Sequence, residues 1–250
     1  MGKCIGFAGK GGTGKTTLAG LLVRYLVEKG KVPVLAVDAD SNSNLNEVLG
    51  LKVETTVSDA REEMKEKAAS LGMTKDMFIE MKINEALVEA DGFDLIAMGR
   101  PEGPGCYCAA NALLTEFLSR LLKNYPYIVI DNEAGMEHIS RLRAKDMDIL
   151  ITVSDASLRG IETAFRIANL ADELNFSIKE KYLVINMIKE EKEEEILKDE
   201  AKKFNLKLIG SIPEDPMIHE FELYRKPLTQ LTKDSLALRR AYAIFDRIIS

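Results

Sequence analysis

The run Gly9-Lys10-Gly11-Gly12-Thr13-Gly14-Lys15-Thr16-Thr17 satisfies the pattern G-x-x-x-x-G-K-[ST], a spacing whose chemistry is phosphate binding. Glycines let the backbone curl until successive N–H groups face one concavity, and a helix starting behind it adds its partial positive charge at the same point. Lys15 is then placed to reach the β- and γ-phosphates of a nucleotide. The Thr16 hydroxyl is placed to ligate Mg²⁺, whose charge offsets the repulsion between those phosphates. Gly11, Gly12, Thr13, Gly14, Lys15, Thr16 and Thr17 read as a site for ATP and ADP.

A second passage could do different chemistry. Gly99-Arg100-Pro101-Glu102-Gly103-Pro104-Gly105-Cys106-Tyr107-Cys108 is a glycine- and proline-rich loop ending in C-x-C. Two thiolates separated by one residue can hold one soft metal ion, yet they leave half of a four-coordinate shell empty. The histidines, His138 and His219, lack ligand spacing relative to the pair. Symmetry closes the shell most simply: two subunits meeting on a two-fold axis supply Cys106 and Cys108 twice. Four sulfurs suit both square-planar Ni²⁺ and tetrahedral Zn²⁺. A redox-active dithiol and a pair of small buried residues are the other readings of the same two cysteines.

These residues need elements to position them. Short apolar, β-branched runs at 3–8, 33–39, 93–98, 127–130, 148–153, 181–186 and 206–212 recur between longer amphipathic segments. They are apolar throughout rather than alternating, as parallel strands covered on both faces must be. The pattern predicts an α/β fold, a doubly wound and mostly parallel sheet of about seven or eight strands flanked by helices, in one domain over 1–250. Parallel strands deliver their C-terminal ends to one edge, and the glycine loop directly follows the first of them. Segment 55–90 is too long for a bare connection and is expected to carry one or two helices. Segment 190–203 reads as a solvated crossover helix with Ile196, Leu197 and Phe204 inward, and Cys4 in the first strand reads as core.

Composition narrows the function. The balance of 34 Lys+Arg against 40 Asp+Glu gives a net charge of −6, which argues against a partner made of nucleic-acid phosphate or anionic lipid. No apolar run approaches membrane-spanning length. Three cysteines and no signal-peptide pattern at the start fit a reducing cytosol, so a cytoplasmic location is expected.

The loop also resembles the deviant Walker A sequence of the nucleotide-dependent dimerising ATPases, the group of MinD, ParA, the nitrogenase iron protein and the CooC-type nickel chaperones. Lys10 carries that resemblance. It implies that Lys10 contacts phosphate across a subunit interface, and hence a homodimer closed around two nucleotides. It further implies that Asp40, in Asp38-Ala39-Asp40-Ser41-Asn42, orients the attacking water, with Asp38 close to the metal shell. By the same resemblance Asp131, in Asp131-Asn132-Glu133-Ala134-Gly135, is expected to hold Mg²⁺ through water. Asn186 falls where the family recognises its purine, and an amide can donate and accept on adenine's edge. Pro213, in Ser211-Ile212-Pro213-Glu214-Asp215, matches the backbone clamp on the base. Asn186-Met187-Ile188-Lys189 lacks the guanine pattern N-K-x-D.

Taken with GRPEGPGCYC and DNEAGMEH, the chain is most similar to the CooC-type ATPases that assist nickel insertion into carbon monoxide dehydrogenase, and to relatives serving acetyl-CoA synthase. That resemblance implies a metallochaperone with a client metalloenzyme. A MinD- or ParA-like positioning ATPase is the competing class, in which the amphipathic segment 238–249 would meet a membrane rather than pack on the sheet. A cluster-bearing reductase is disfavoured because 131–141 holds no cysteine.

Overall fold

The structure, a computed structural model, describes residues 2–40, 44–60, 63, 75–99, 124–132, 146–174 and 177–249. Eight strands form one sheet in the order β3-β4-β2-β5-β1-β6-β7-β8. They are β1 (Lys3–Gly9), β2 (Val34–Ala39), β3 (Leu87–Glu89), β4 (Phe93–Ala97), β5 (Tyr127–Asn132), β6 (Asp146–Ser154), β7 (Ser177–Ile188) and β8 (Leu208–Pro213). All the pairings are parallel except that of β3 with β4. The expected α/β sheet is therefore present. β3 is an addition, a three-residue antiparallel edge strand inside the segment expected to be helical.

β1 lies between β5 and β6, and the chain runs to one side through β2 and β4 before crossing to the other through β6, β7 and β8. Register puts Phe7 beside Asp131, Asp131 beside Asp38, and Gly9 beside Val153. The two carboxylates and the start of the glycine loop thus share one edge of the sheet, where ligands of open α/β sheets collect.

Helices α1 (Lys15–Glu28), α2 (Leu45–Leu49), α3 (Lys75–Ala86), α4 (Leu158–Glu173), α5 (Glu191–Lys203), α6 (Pro216–Leu223) and α7 (Leu236–Ile248) are interspersed with these strands. α1 is buried over most of its length; Leu18, Leu22 and Leu26 share one core with Phe7 and Val129 of the strands and with Leu238 and Phe245 of α7. The Tyr25 hydroxyl donates to Asp246 at 2.7 Å and its ring meets Phe245 edge-on. The apolar stripe of the C-terminal segment is therefore spent on the core, the packed alternative of the two considered for it.

In α5 Leu197 is buried and Phe204 packs beside it, but Ile196 is 52% exposed. The expectation for Ile196 is corrected. Leu197 and Ala201, four residues apart, define the buried line, and Ile196 lies off it on the solvated side. Cys4 is buried in β1, and burial, then the Asp148 carboxylate, push its thiol up to about 12, an inert core cysteine as expected. No helix among the described residues is long and apolar enough to cross a membrane.

Candidate nucleotide site

The glycine loop is shaped by close approaches. A Cβ on Gly9 would stand 2.3 Å from the Val153 carbonyl oxygen, so β1 and β6 meet there only because Gly9 has none. Gly14 adopts φ +87, and a Cβ on it would stand 2.3 Å from Asn186 Nδ2. Within the loop the Lys10 carbonyl accepts from Thr13 Oγ1 at 2.9 Å and from Lys15 Nζ at 3.2 Å. Thr13 and Lys15 are buried, whereas Lys10, Gly11 and Gly12 are exposed. The two lysines thus divide: Lys15 folds into the loop and the Lys10 side chain faces outward.

Gly14 is also the N-cap of α1, and no side chain caps that helix. The first N–H groups of an α-helix have no intrahelical partner. In α4, α6 and α7 the side chains of Ser157, Asp215 and Ser235 accept from such a group, and Glu190 does so in a capping box at α5. At α1 the donors and the helix dipole are left to an anion in the loop.

Beside the loop stand the buried Asp38 and Asp131. Asp38 accepts from the N–H of Asp40 at 3.1 Å on one oxygen and from the N–H of Leu45 at 2.9 Å on the other, which folds the chain after β2 into α2. Burial raises its carboxyl to about 7, against those two N–H groups and with help from Asp131 and Asp40. Asp131 is different. Burial lifts it to about 6, opposed by a hydrogen bond from Thr16 and the charge of Lys15. Its Oδ1 is buried and has no hydrogen-bond partner among the described residues. Asp40 is half-buried and acts electrostatically on both.

Two adjoining cavities open along this edge. One of about 390 Å³ is lined by Gly12, Gly14, Lys15, Thr16 and Thr17 of the loop, by Asn44, Glu47 and Val48 around α2, and by Phe221, Glu222, Arg225 and Lys226. The other, about 120 Å³, is lined by Asn186, Ile212, Pro213, Ile218 and His219. Thr17, Met187 and Glu222 line both. Asn186 Nδ2 donates to the Thr13 carbonyl at 2.9 Å, so the amide expected to read a base also ties β7 to the phosphate loop. Thr17 Oγ1 donates to Glu222 at 3.3 Å.

The structure brings Lys10, Gly11, Gly12, Thr13, Gly14, Lys15, Thr16, Thr17, Asp38, Asp40, Asp131, Asn186 and Pro213 to this one edge. Cys106, Cys108, Ser41, Asn42, Glu133, Ala134, Gly135 and His138 lie outside the described residues. Sequence reading missed Glu222 and Met187. Glu222 could have been found from the i, i+4 spacing of Ile218 and Glu222 on α6, one helix face beyond the Pro213 turn. Met187 takes φ 62 at an irregularity in the β7–β8 register, where a bulge re-aims a side chain, and nothing local in the sequence signals that.

The family model of the CobQ/CobB/MinD/ParA nucleotide binding domain matches residues 5–228. The chain belongs to this family. It is a nucleotide-binding P-loop ATPase. An uncharacterized ATP-binding protein of Methanocaldococcus jannaschii is 43% identical over 98% of this chain and 98% of its own length. The carbon monoxide dehydrogenase accessory protein CooC of Rhodospirillum rubrum is 32% identical over 86% of this chain and 84% of its own. Among solved structures, the septum site-determining protein MinD of Pyrococcus horikoshii, complexed with Mg-ADP, superposes with a TM-score of 0.74 at 22% identity, over 99% of this chain and 96% of that one.

Proposed function

We propose that this family member is an ATP-driven metallochaperone. It closes as a homodimer around two nucleotides, and closure brings Cys106 and Cys108 of both subunits together around one divalent metal, nickel or zinc, for delivery to a client metalloenzyme such as carbon monoxide dehydrogenase or acetyl-CoA synthase. The observation that carries the reading is the C-x-C pair after a glycine- and proline-rich loop in a P-loop chain similar along most of its length to a carbon monoxide dehydrogenase accessory protein.

In this reading the uncapped start of α1 and the N–H groups of the loop bind the ATP phosphates, and Lys15 exchanges its bond to the Lys10 carbonyl for the β- and γ-phosphates. Lys10, already outward, reaches the partner's nucleotide. Asp40 orients the water that attacks the γ-phosphorus. Thr16 and Asp131 fit Mg²⁺: the buried Oδ1 of Asp131, which no described residue satisfies, beside a hydroxyl is a donor set suited to a cation or its water. When bound, that ion supplies charge to the β- and γ-oxygens. Asn186 and Pro213 take the base in the smaller cavity. ATP and metal both prefer the closed dimer, so each raises the other's affinity by the same factor.

The test is metal stoichiometry and mass in solution, with and without a non-hydrolysed ATP analogue, for the wild type and for Cys106→Ala/Cys108→Ala. One metal ion per dimer, held more tightly with nucleotide and lost in the double variant, is the expected result. Unchanged metal affinity with the analogue overturns the coupling. Nucleotide-driven dimerisation without metal would instead bring forward the MinD- or ParA-like positioning reading, which the shared fold supports.

A further inference from the structure

β8 is the outermost strand of the sheet on the side away from β3. Outside it runs a groove of about 290 Å³, with Leu208, Ile209, Gly210 and Ser211 of the strand on its floor, Glu194 and Lys198 of α5 on one wall, and Arg240 and Arg247 of α7 on the other. An edge strand presents backbone N–H and C=O groups with no neighbour to pair them, and is a template for a further strand unless something covers it. Here β8 steps out of register with β7 between Leu208 and Gly210, and a side chain reaches its backbone. Arg247 Nη1 donates to the Ile209 carbonyl at 3.0 Å, and a carbonyl oxygen has a second lone pair to offer. Gly210 lets α7 pack closely on the strand, since a Cβ there would stand 2.6 Å from Ile244 Cγ1.

The groove is also charged. Lys198, Arg240 and Arg247 face it against one carboxylate, Glu194, which is already engaged by Lys198 at 2.5 Å. Lys198 and Ser211 hydrogen bonds, with the charge of Arg240 behind them, hold Glu194 below the usual carboxylate range despite partial burial. The result is a cationic trough on a chain whose net charge is −6.

We propose that this groove takes an acidic, extended segment of a partner protein as an added strand beside β8. Charge decides among the occupants a free edge admits. A second copy of the same edge would set Lys198, Arg240 and Arg247 against their own equivalents. A nucleic-acid strand would satisfy the cations but has no regular row of donors and acceptors to pair with the strand. An acidic extended peptide satisfies both. The groove lies on the outer side of β8, whose last residues, Ile212 and Pro213, line the smaller nucleotide cavity, and it does not depend on the metallochaperone reading.

The test uses the full chain and fluorescence-labelled peptides as long as β8. A peptide of alternating Glu and Val is expected to bind, to protect the amides of Leu208 to Ser211 from hydrogen exchange, and to bind at least about fivefold more weakly to Arg240→Glu. A Lys/Val peptide, and a Glu/Val peptide interrupted by prolines, are expected not to bind. Arg240 is exposed, so its substitution leaves the fold intact, and unchanged nucleotide binding by the variant checks that. The proposal is overturned if the Glu/Val peptide does not bind, if the proline-interrupted peptide binds equally well, if Arg240→Glu makes no difference, or if a single-stranded oligonucleotide competes at the same concentration.

Discussion

Two strand-end carboxylates illustrate opposite uses of one residue type. Asp215, after β8, is a finished group: it accepts from the N–H of Met217 at 2.9 Å, the Ser235 hydroxyl at 2.7 Å and the N–H of Ala237 at 3.0 Å, and so caps α6 while fastening it to the start of α7. Burial alone would raise its carboxyl, but these bonds outweigh burial and hold it below the ordinary value. Asp131, at the end of β5, is an unfinished one, raised to about 6 and with a buried oxygen that nothing in the described residues satisfies. The uncapped α1 beside Asp131 and the capped α4, α5, α6 and α7 repeat the contrast. At Asp215 and the capped helix starts, polar groups that serve the fold are satisfied internally. Where the protein has to bind, they are left for a ligand, at a cost in stability.

The comparison can be broken at several points. The largest effect is expected from Lys15→Ala, which removes the loop's buried cation: ATP hydrolysis should fall by about 10²–10³-fold in a steady-state phosphate-release assay, while the urea midpoint stays close to that of the wild type. Asp215→Ala should do the reverse, costing about 2–4 kcal/mol of stability because two helix N-termini lose their acceptor, as read from urea unfolding.

Asp131→Asn should come next, and with the opposite sign. It removes a buried charge, so the nucleotide-free protein is expected to gain about 1–3 kcal/mol at neutral pH while hydrolysis collapses. The sign follows from linkage. Asp38 and Asp131 titrate near 7 and 6 in the folded chain against 3.8 ordinarily, so the folded state holds protons that the unfolded state has released. The stability of the nucleotide-free protein should therefore fall as pH rises from about 4 to about 7, and Asp131→Asn should flatten that slope. Asp215, whose pKa is lowered, contributes stability above 3.8 that is lost in more acid solution. A wild-type profile rising steadily with pH between those limits would refute the assignment. The smallest effect is expected at Ile196→Ser, within about 0.5 kcal/mol, because that side chain is in water.

What could be read beforehand follows the same division. The phosphate loop was legible because its chemistry is contiguous and its strand and helix flank it directly. The parallel sheet was legible because doubly covered strands are apolar throughout. β3 was not, since three residues, Leu87–Glu89, give no periodicity to recognise. Ile196 misled because in a helix as charged as α5 every apolar residue looks inward, and only the contact of Leu197 and Ala201 with the sheet fixes which face is buried. Asp38 and Asp131 could be placed at one edge, yet only the three-dimensional contacts distinguish the one that folds the chain into α2 from the one with an oxygen to spare. Glu222 reaches Thr17 across 205 residues of sequence; helical spacing on α6 could name Glu222 as a candidate, but only the fold supplies Thr17 as its partner.

The position of β1 has a consequence for the order in which the protein can be made. Its hydrogen-bonding neighbours are β5 and β6, at Tyr127–Asn132 and Asp146–Ser154, and the helix behind it rests on α7 at the far end of the chain. The phosphate loop is therefore made before either strand that flanks it, and its supporting helix is clasped only once α7 has followed. The nascent chain carries the complete nucleotide-binding motif long before it can hold a nucleotide.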